Sequence, residues 1–339
     1  VDFVTSSITA AASQGVQWTP MIALLAPGQG AQAPGMLAPW LDLEGAEDRI
    51  EAWSGTAGLD LRRLGTTADV AEITDTAVAQ PLIVALSLLA AEQLLLRLDL
   101  PTDAPVAGHS VGELTAAAIA GVFTADEAVA LATVRGREMA AACALAATGM
   151  SAVLGGDPDD VVAVLAQLGL VAANHNGAGQ LVAAGRLDAL AALAAGKPAR
   201  TRVIPLAVAG AFHTHFMSPA ERALAEYAAQ LIAKDPTRPL LSNADGQVVS
   251  DGAEMLDRLV AQLSKPVRWD RCMGTLRALD VAITVELPPA GTLSGLVKRD
   301  LKGTGTLALK TPEDLDRVAD LIDDHRSVVG RADHPGSHK

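Results

Sequence analysis

Apolar runs of strand length alternate along this chain with longer stretches of helical composition, and turn residues punctuate them. The first run, residues 21–26, breaks into Pro27-Gly28-Gln29-Gly30-Ala31-Gln32, a turn whose two glycines let backbone N–H groups approach a ligand. Residues 37–66 read as helices and loops, with Trp40 and Trp53 in the core. Between residues 73 and 100 the run AQPLIVALSLLAAEQLLLRL predicts a long apolar helix opening near Pro81, since proline suits a first turn. Such uniform apolarity fits burial against a sheet. A second short run, Pro105-Val106-Ala107, meets Gly108-His109-Ser110-Val111-Gly112, and an Ala- and Leu-rich helix follows as far as Gly121. Thr124 and Glu127 then have the spacing of a capping box, opening a helix that carries Arg135 and Arg137 amid alanine and valine.

The pattern changes near residue 148. MSAVLGG, DPDDVVAVLAQLG, LVAANHN, GQLVAAG, LDALAALAA and RVIPLAV succeed one another as strand, helix, two strands, helix and strand, the order of a ferredoxin-like unit. Further on, a helix is expected from Pro219, a strand end at Leu240-Leu241-Ser242-Asn243, a helix broken at Pro266, and a strand and turn in AITVELPPAG. The expectation is an α/β protein with two parts. Residues 21–147 and 208–324 form an α/β-hydrolase-like large subdomain with a parallel sheet, and residues 148–207 form a ferredoxin-like small subdomain inserted into it. Residues 1–20 read as a peripheral leader, and residues 325–339, with Gly, Pro, His and Arg, as a disordered tail.

Composition narrows the function classes. Half of the 339 residues are apolar but only 3% are aromatic, so alanine, leucine and valine do the packing. No uninterrupted apolar run reaches about 18 residues, so neither a spanning helix nor a membrane partner is expected. A formal net charge of −13 argues against nucleic acid. The two cysteines, Cys143 and Cys272, lack C-x-x-C spacing, which points to no disulfide framework, no metal site and a cytoplasmic setting.

The chemistry gathers around Ser110. Strand, tight G-x-S-x-G turn and helix is the context of a nucleophile elbow, which presents the serine hydroxyl at a strand's C-terminal end. The competing reading is a serine that caps a helix after a glycine turn. A serine hydroxyl needs a base, most often histidine. Of seven histidines, three fall in the expected tail and His109 lies inside the elbow, which leaves His175, His213 and His215. No aspartate stands out as a third member, so a Ser/His dyad and a triad both stay open. The turn at 27–32 matches no phosphate-binding pattern and reads instead as a loop that aims an amide at an oxyanion.

Six stretches taken together, PGQGAQ at 27–32, GHSVGE at 108–113, Arg135-Gly136, NHNGAGQLVAAG at 174–185, GAFHTHFM at 210–217 and QLSKPVRW at 262–269, resemble the malonyl-CoA:acyl-carrier-protein transacylases of bacterial type II fatty acid synthesis. The likeness covers about residues 21–320. It implies Ser110 as nucleophile and His213 as its base, with the imidazole oriented by the backbone carbonyl of Gln262. The backbone N–H groups of Gln29 and Val111 would form the oxyanion hole, and Arg135 would pair with the malonyl carboxylate. Phe212 and Val111 would set acyl selectivity, Gln80, Asn174 and Asn176 would line the pocket, and His215 would be an exposed loop residue. The resemblance also implies malonyl-CoA as substrate, no bound cofactor, and an acyl carrier protein bringing phosphopantetheine to a monomer. Arg186, Lys197 and Arg200 are candidates for a basic patch facing that acidic carrier. Competing readings are the same reaction in a polyketide pathway, a serine esterase or thioesterase, and a catalytically silent carrier-docking module.

Overall fold

A computed structural model describes residues 20–332, so all but the last residue of the expected leader lies outside the described residues. The first stretch of chain runs β1 (Ile22–Ala26), α1 (Ala46–Ala57), α2 (Leu61–Thr66), α3 (Val70–Thr74), α4 (Thr76–Arg97), β2 (Val106–Gly108), α5 (Gly112–Ile119) and α6 (Ala125–Cys143). Next come β3 (Thr148–Gly155), α7 (Pro158–Gln167), β4 (Val171–Gly177), β5 (Gln180–Arg186), α8 (Leu187–Ala195) and β6 (Thr201–Pro205). The remainder holds α9 (Ser218–Ala228), β7 (Leu240–Leu241), β8 (Val248–Val249), α10 (Gly252–Ala261), α11 (Trp269–Ala278), β9 (Ile283–Glu286), α12 (Thr292–Asp300), β10 (Gly305–Ala308) and α13 (Glu313–Ala332).

The first and last stretches share a six-stranded sheet in the order β10-β9-β1-β2-β7-β8, parallel throughout except for the β7–β8 pair. A parallel strand covered on both faces needs apolar residues on both, and β1 supplies them. Ile22, Leu24 and Ala26 enter the core that holds much of α4 and α6, while Ala23 and Leu25 enter a second core with Trp269, Met273 and Leu296. The middle stretch forms an antiparallel four-stranded sheet, order β4-β5-β3-β6, whose own small core joins Val153 and Leu181 to Val161 and Leu165 of α7 and Leu190 and Leu193 of α8. The protein is thus α/β, with a mainly parallel sheet and a separate antiparallel one. The two meet where Val267 donates its N–H to Ala173 O at 2.8 Å and accepts from His175 N at 2.9 Å, adding one residue of extended chain to the β4 edge.

Two expectations need correcting. Helix α4 opens at Thr76, not near Pro81: the Asp75 carboxylate accepts the Ala77 N–H at 2.8 Å and caps the helix there. A proline inside a helix costs about 3 kcal/mol, and here extensive burial of α4 offsets it. Nor does structure end at residue 324, since α13 continues to Ala332. Leu315, Val318 and Ile322 are buried in the main core, and a helix nucleated by such contacts propagates at little cost. The rest of the expected tail, residues 333–339, lies outside the described residues. Among the described helices α4 alone has the length and apolarity to cross a membrane, but its residues from 79 to 91 are all buried inside the protein.

Candidate active site

Three neighbouring strands of the large sheet deliver the site. In parallel α/β sheets ligands bind beyond the strands' C-terminal ends, and the loops leaving β1, β2 and β7 carry residues 27–32, Ser110 and Asn243 to one place. The elbow itself depends on close backbone approach. A Cβ on Gly108 would lie 2.0 Å from Gly112 C, and one on Gly112 would lie 2.3 Å from Ala26 O, so both positions exclude any side chain. Ser110 sits at φ 54° and His213 at φ 60°, a left-handed conformation that costs a non-glycine residue about 1–3 kcal/mol and is typical of functional sites.

The polar groups form one connected set. Ser110 Oγ lies 2.8 Å from His213 Nε2, and His213 Nδ1 lies 2.8 Å from the backbone carbonyl of Gln262. A carbonyl only accepts, so Nδ1 carries the proton and Nε2 is left to accept from the serine hydroxyl. Arg135, nine-tenths and more buried on α6, donates from Nη1 to Gln80 Oε1 at 2.7 Å, and from Nη2 to Gln262 Oε1 at 2.9 Å and Ser110 Oγ at 3.2 Å. No described carboxylate pairs with this guanidinium; its partners are neutral. Burial, and then the nearby Arg135 charge, depress the His213 imidazole to about 3, so the ring is neutral at pH 7. Burial also lowers Arg135 to about 10, partly offset by Glu113, which leaves the guanidinium charged at neutral pH.

A cavity of about 380 Å³ opens over this set, lined by Gln29, Gln80, Ser110, Val111, Arg135, Asn174, Asn176, Phe212 and His213. Gln262 lies behind the wall, reaching it through Arg135 and His213. Among the described residues the backbone N–H groups of Gln29 and Val111 have no acceptor, and both residues line the cavity. Asn176 Oδ1 accepts from His109 Nε2 at 3.0 Å, whereas Asn174 Oδ1 is buried with no partner among the described residues. Of the histidines left open by sequence, His213 alone reaches Ser110. His215 is exposed against Phe216, and half-buried His175 lies by Arg268 and Asp270. Among the described residues no group of three or more His, Cys, Asp or Glu could hold a metal ion.

Two residues were not foreseen as site members. Asn243, fully buried, accepts the Ser110 N–H through Oδ1 at 2.8 Å and donates from Nδ2 to Gly108 O at 2.7 Å. Glu113, on α5, accepts the Asn243 N–H at 2.6 Å and a hydrogen bond from Gln262 Nε2. A lone carboxylate in the apolar stretch after the elbow was the available signal for Glu113. Asn243 carried only its place at a strand end.

Comparison with known proteins finds one family over most of the chain. Residues 24–329 match the acyl transferase domain family. The malonyl CoA-acyl carrier protein transacylase of Mycobacterium tuberculosis is 61% identical over 302 residues, covering 89% of this chain and 100% of the relative. The Escherichia coli protein of the same name is 31% identical over 309 residues, covering 88% and 99%. A crystal structure of MCAT from Mycobacterium tuberculosis superposes with a TM-score of 0.85 at 60% identity, covering 88% of this chain and 99% of that one. With these matches spanning the fold and the site alike, the chain belongs to the malonyl CoA-acyl carrier protein transacylase family of acyl transferases.

Proposed function

We propose that the chain transfers the malonyl group of malonyl-CoA to the phosphopantetheine thiol of an acyl carrier protein through a malonyl ester on Ser110, an S-malonyltransferase reaction that supplies fatty acid synthesis. One observation carries the reading: a buried arginine with only neutral partners stands 3.2 Å from a serine that is itself bonded to a neutral histidine. An esterase of neutral substrates has no use for a cation beside its nucleophile. A malonyl thioester brings a carboxylate, which a guanidinium binds in a bidentate pair.

The steps follow from the geometry. Ser110 Oγ attacks the thioester carbonyl as its proton passes to His213 Nε2, and the Gln262 carbonyl steadies the imidazolium through Nδ1. The oxyanion takes hydrogen bonds from the N–H groups of Gln29 and Val111. Collapse expels the CoA thiolate, which takes the proton from His213. The carrier thiol then attacks the ester, His213 accepts its proton, and Ser110 leaves and is reprotonated. Phe212 and Val111 crowd the acyl α-carbon, Gln80 holds Arg135, and Asn174 and Asn176 offer amides to the rest of the substrate. In this account residues 148–207 are the inserted small subdomain between 21–147 and 208–324. The enzyme works as a cytoplasmic monomer without a bound cofactor, and its two unpaired thiols suit that setting.

Turnover with malonyl-CoA and a phosphopantetheinylated carrier protein tests the reading, following malonyl carrier and free malonate separately. Malonyl carrier should be the main product, and Arg135→Ala should lower its formation by roughly 100-fold, as losing a charged hydrogen-bonded partner would. Malonate as the main product, or an Arg135→Ala variant as fast as the parent, would contradict it.

A further inference from the structure

The transfer chemistry makes no direct use of Glu113, yet this carboxyl is only 1% exposed and sits at the back of the site. Burying a carboxyl is costly unless its oxygens are satisfied, and here each oxygen has a partner that matters. One accepts the backbone N–H of Asn243, whose side chain holds the Ser110 N–H and the Gly108 carbonyl. The other accepts from the side-chain amide of Gln262. An amide has one donating and one accepting end. With the Gln262 Nε2 end committed to Glu113, and more distantly to Asn243 Oδ1 at 3.3 Å, its Oε1 end faces outward and takes the hydrogen bond from Arg135 Nη2 at 2.9 Å. A guanidinium has donors only, so a Gln262 amide turned the other way would set donor against donor.

We propose that Glu113 is a positioning residue for substrate recognition: its carboxyl fixes the Gln262 amide, and through it holds the Arg135 guanidinium beside Ser110, where the substrate's carboxylate must arrive. The proposal rests on Arg135 as the partner of the malonyl carboxylate. Glu113→Gln replaces one acceptor with a donor, so the Gln262 amide or the Asn243 N–H loses its partner. Arg135 then keeps Gln80 on Nη1 but loses the acceptor that holds Nη2 beside Ser110, whereas the bond from His213 to the Gln262 backbone carbonyl does not depend on the amide's direction. Recognition of an acyl group with a carboxylate should therefore suffer more than attack on one without.

The experiment measures loading of Ser110 by malonyl-CoA and, separately, by acetyl-CoA, resolving KM from kcat, in the parent, Glu113→Gln, Gln262→Met and the double variant, with thermal melts of each. Glu113→Gln should raise KM for malonyl-CoA by about tenfold or more and lower the malonyl-over-acetyl preference by a similar factor. Gln262→Met, which keeps the backbone carbonyl, should do the same, and the double variant should be no worse than either, because the two residues act in series. Equal losses for both donors, or additive losses in the double variant, would overturn the proposal in favour of a purely structural carboxyl. If Glu113→Gln does not fold, a folded Gln262→Met that keeps the full malonyl preference overturns it alone. A parent chain that takes no malonyl group brings down the underlying reading instead, which variant-specific losses do not.

Discussion

Ser110 and His213 both hold left-handed backbone conformations, and in each case a hydrogen bond that also serves the chemistry holds the residue in place. Asn243 takes the Ser110 N–H, and the Gln262 carbonyl takes the His213 ring proton. The depressed His213 imidazole has a consequence for pH. A base near 3 in the free protein stays unprotonated at pH 5, so kcat/KM for malonyl loading should be level between about pH 7 and pH 5; a fall by half near the ordinary imidazole value of about 6.5 would contradict that. Stability responds in the opposite direction to activity's indifference. Below about 6.5 the unfolded chain binds a proton that the folded imidazole refuses, so stability is lost as pH falls from there toward 3. Burial pushes the Glu113 carboxyl up, while the Asn243 N–H and the Arg135 charge pull it back toward the ionised form in which both oxygens accept.

At the scale of elements, the site depends on how closely α6 approaches α4. Arg135 on α6 and Gln80 on α4 meet because Gly136 lets the helices touch: a Cβ there would lie 2.7 Å from Thr76 O. Gly136→Ala should force the pair apart, costing about 1–3 kcal/mol as overpacking does, and it should weaken malonyl loading along with the melting temperature. Unchanged loading in a folded Gly136→Ala protein would show that Arg135 is placed independently of α4. Much at this scale was legible beforehand. The elbow, the capping box at Thr124 and the βαββαβ order all follow from local chemistry, namely glycine spacing, a Thr/Glu pair and alternating apolar runs. The start of α4 was not, because proline's preference for a first turn competes with the Asp75 cap, and only burial of the helix decides between them. Continuation of α13 was hidden for a similar reason, since polar and glycine residues past 324 are carried by the packed turns before them.

For the whole molecule, the mainly parallel sheet presents Ser110 after β2, the segment between β6 and α9 presents His213, and the antiparallel sheet supplies Asn174, Asn176 and one wall of the cavity. Their seam at Val267 lies five residues beyond Gln262, so the segment that orients His213 and Arg135 also joins the two sheets. Sequence pointed to Ser110, His213 and Arg135 and, by resemblance, to Gln262, but not to Asn243 and Glu113 behind them. Ser110, His213 and Arg135 are residue types with an evident chemical task in recognisable motifs. Asn243 and Glu113 acquire theirs only when β7 is placed beside β2, a pairing that local sequence does not encode. Against a formal charge of −13 the chain still presents cations at its surface. Arg186, Lys197 and Arg200 are exposed on the small subdomain, although Arg186 already pairs with Asp188.

The central claim is that a malonyl group resides on Ser110 between donor and acceptor. The most direct test is to mix the protein with malonyl-CoA, without carrier protein, and weigh the intact chain. The account predicts a mass gain of one malonyl group that maps to Ser110, is absent from Ser110→Ala, and is discharged when phosphopantetheinylated carrier protein is added. Steady release of CoA with no adduct at Ser110, or an adduct that the carrier leaves in place, would contradict it.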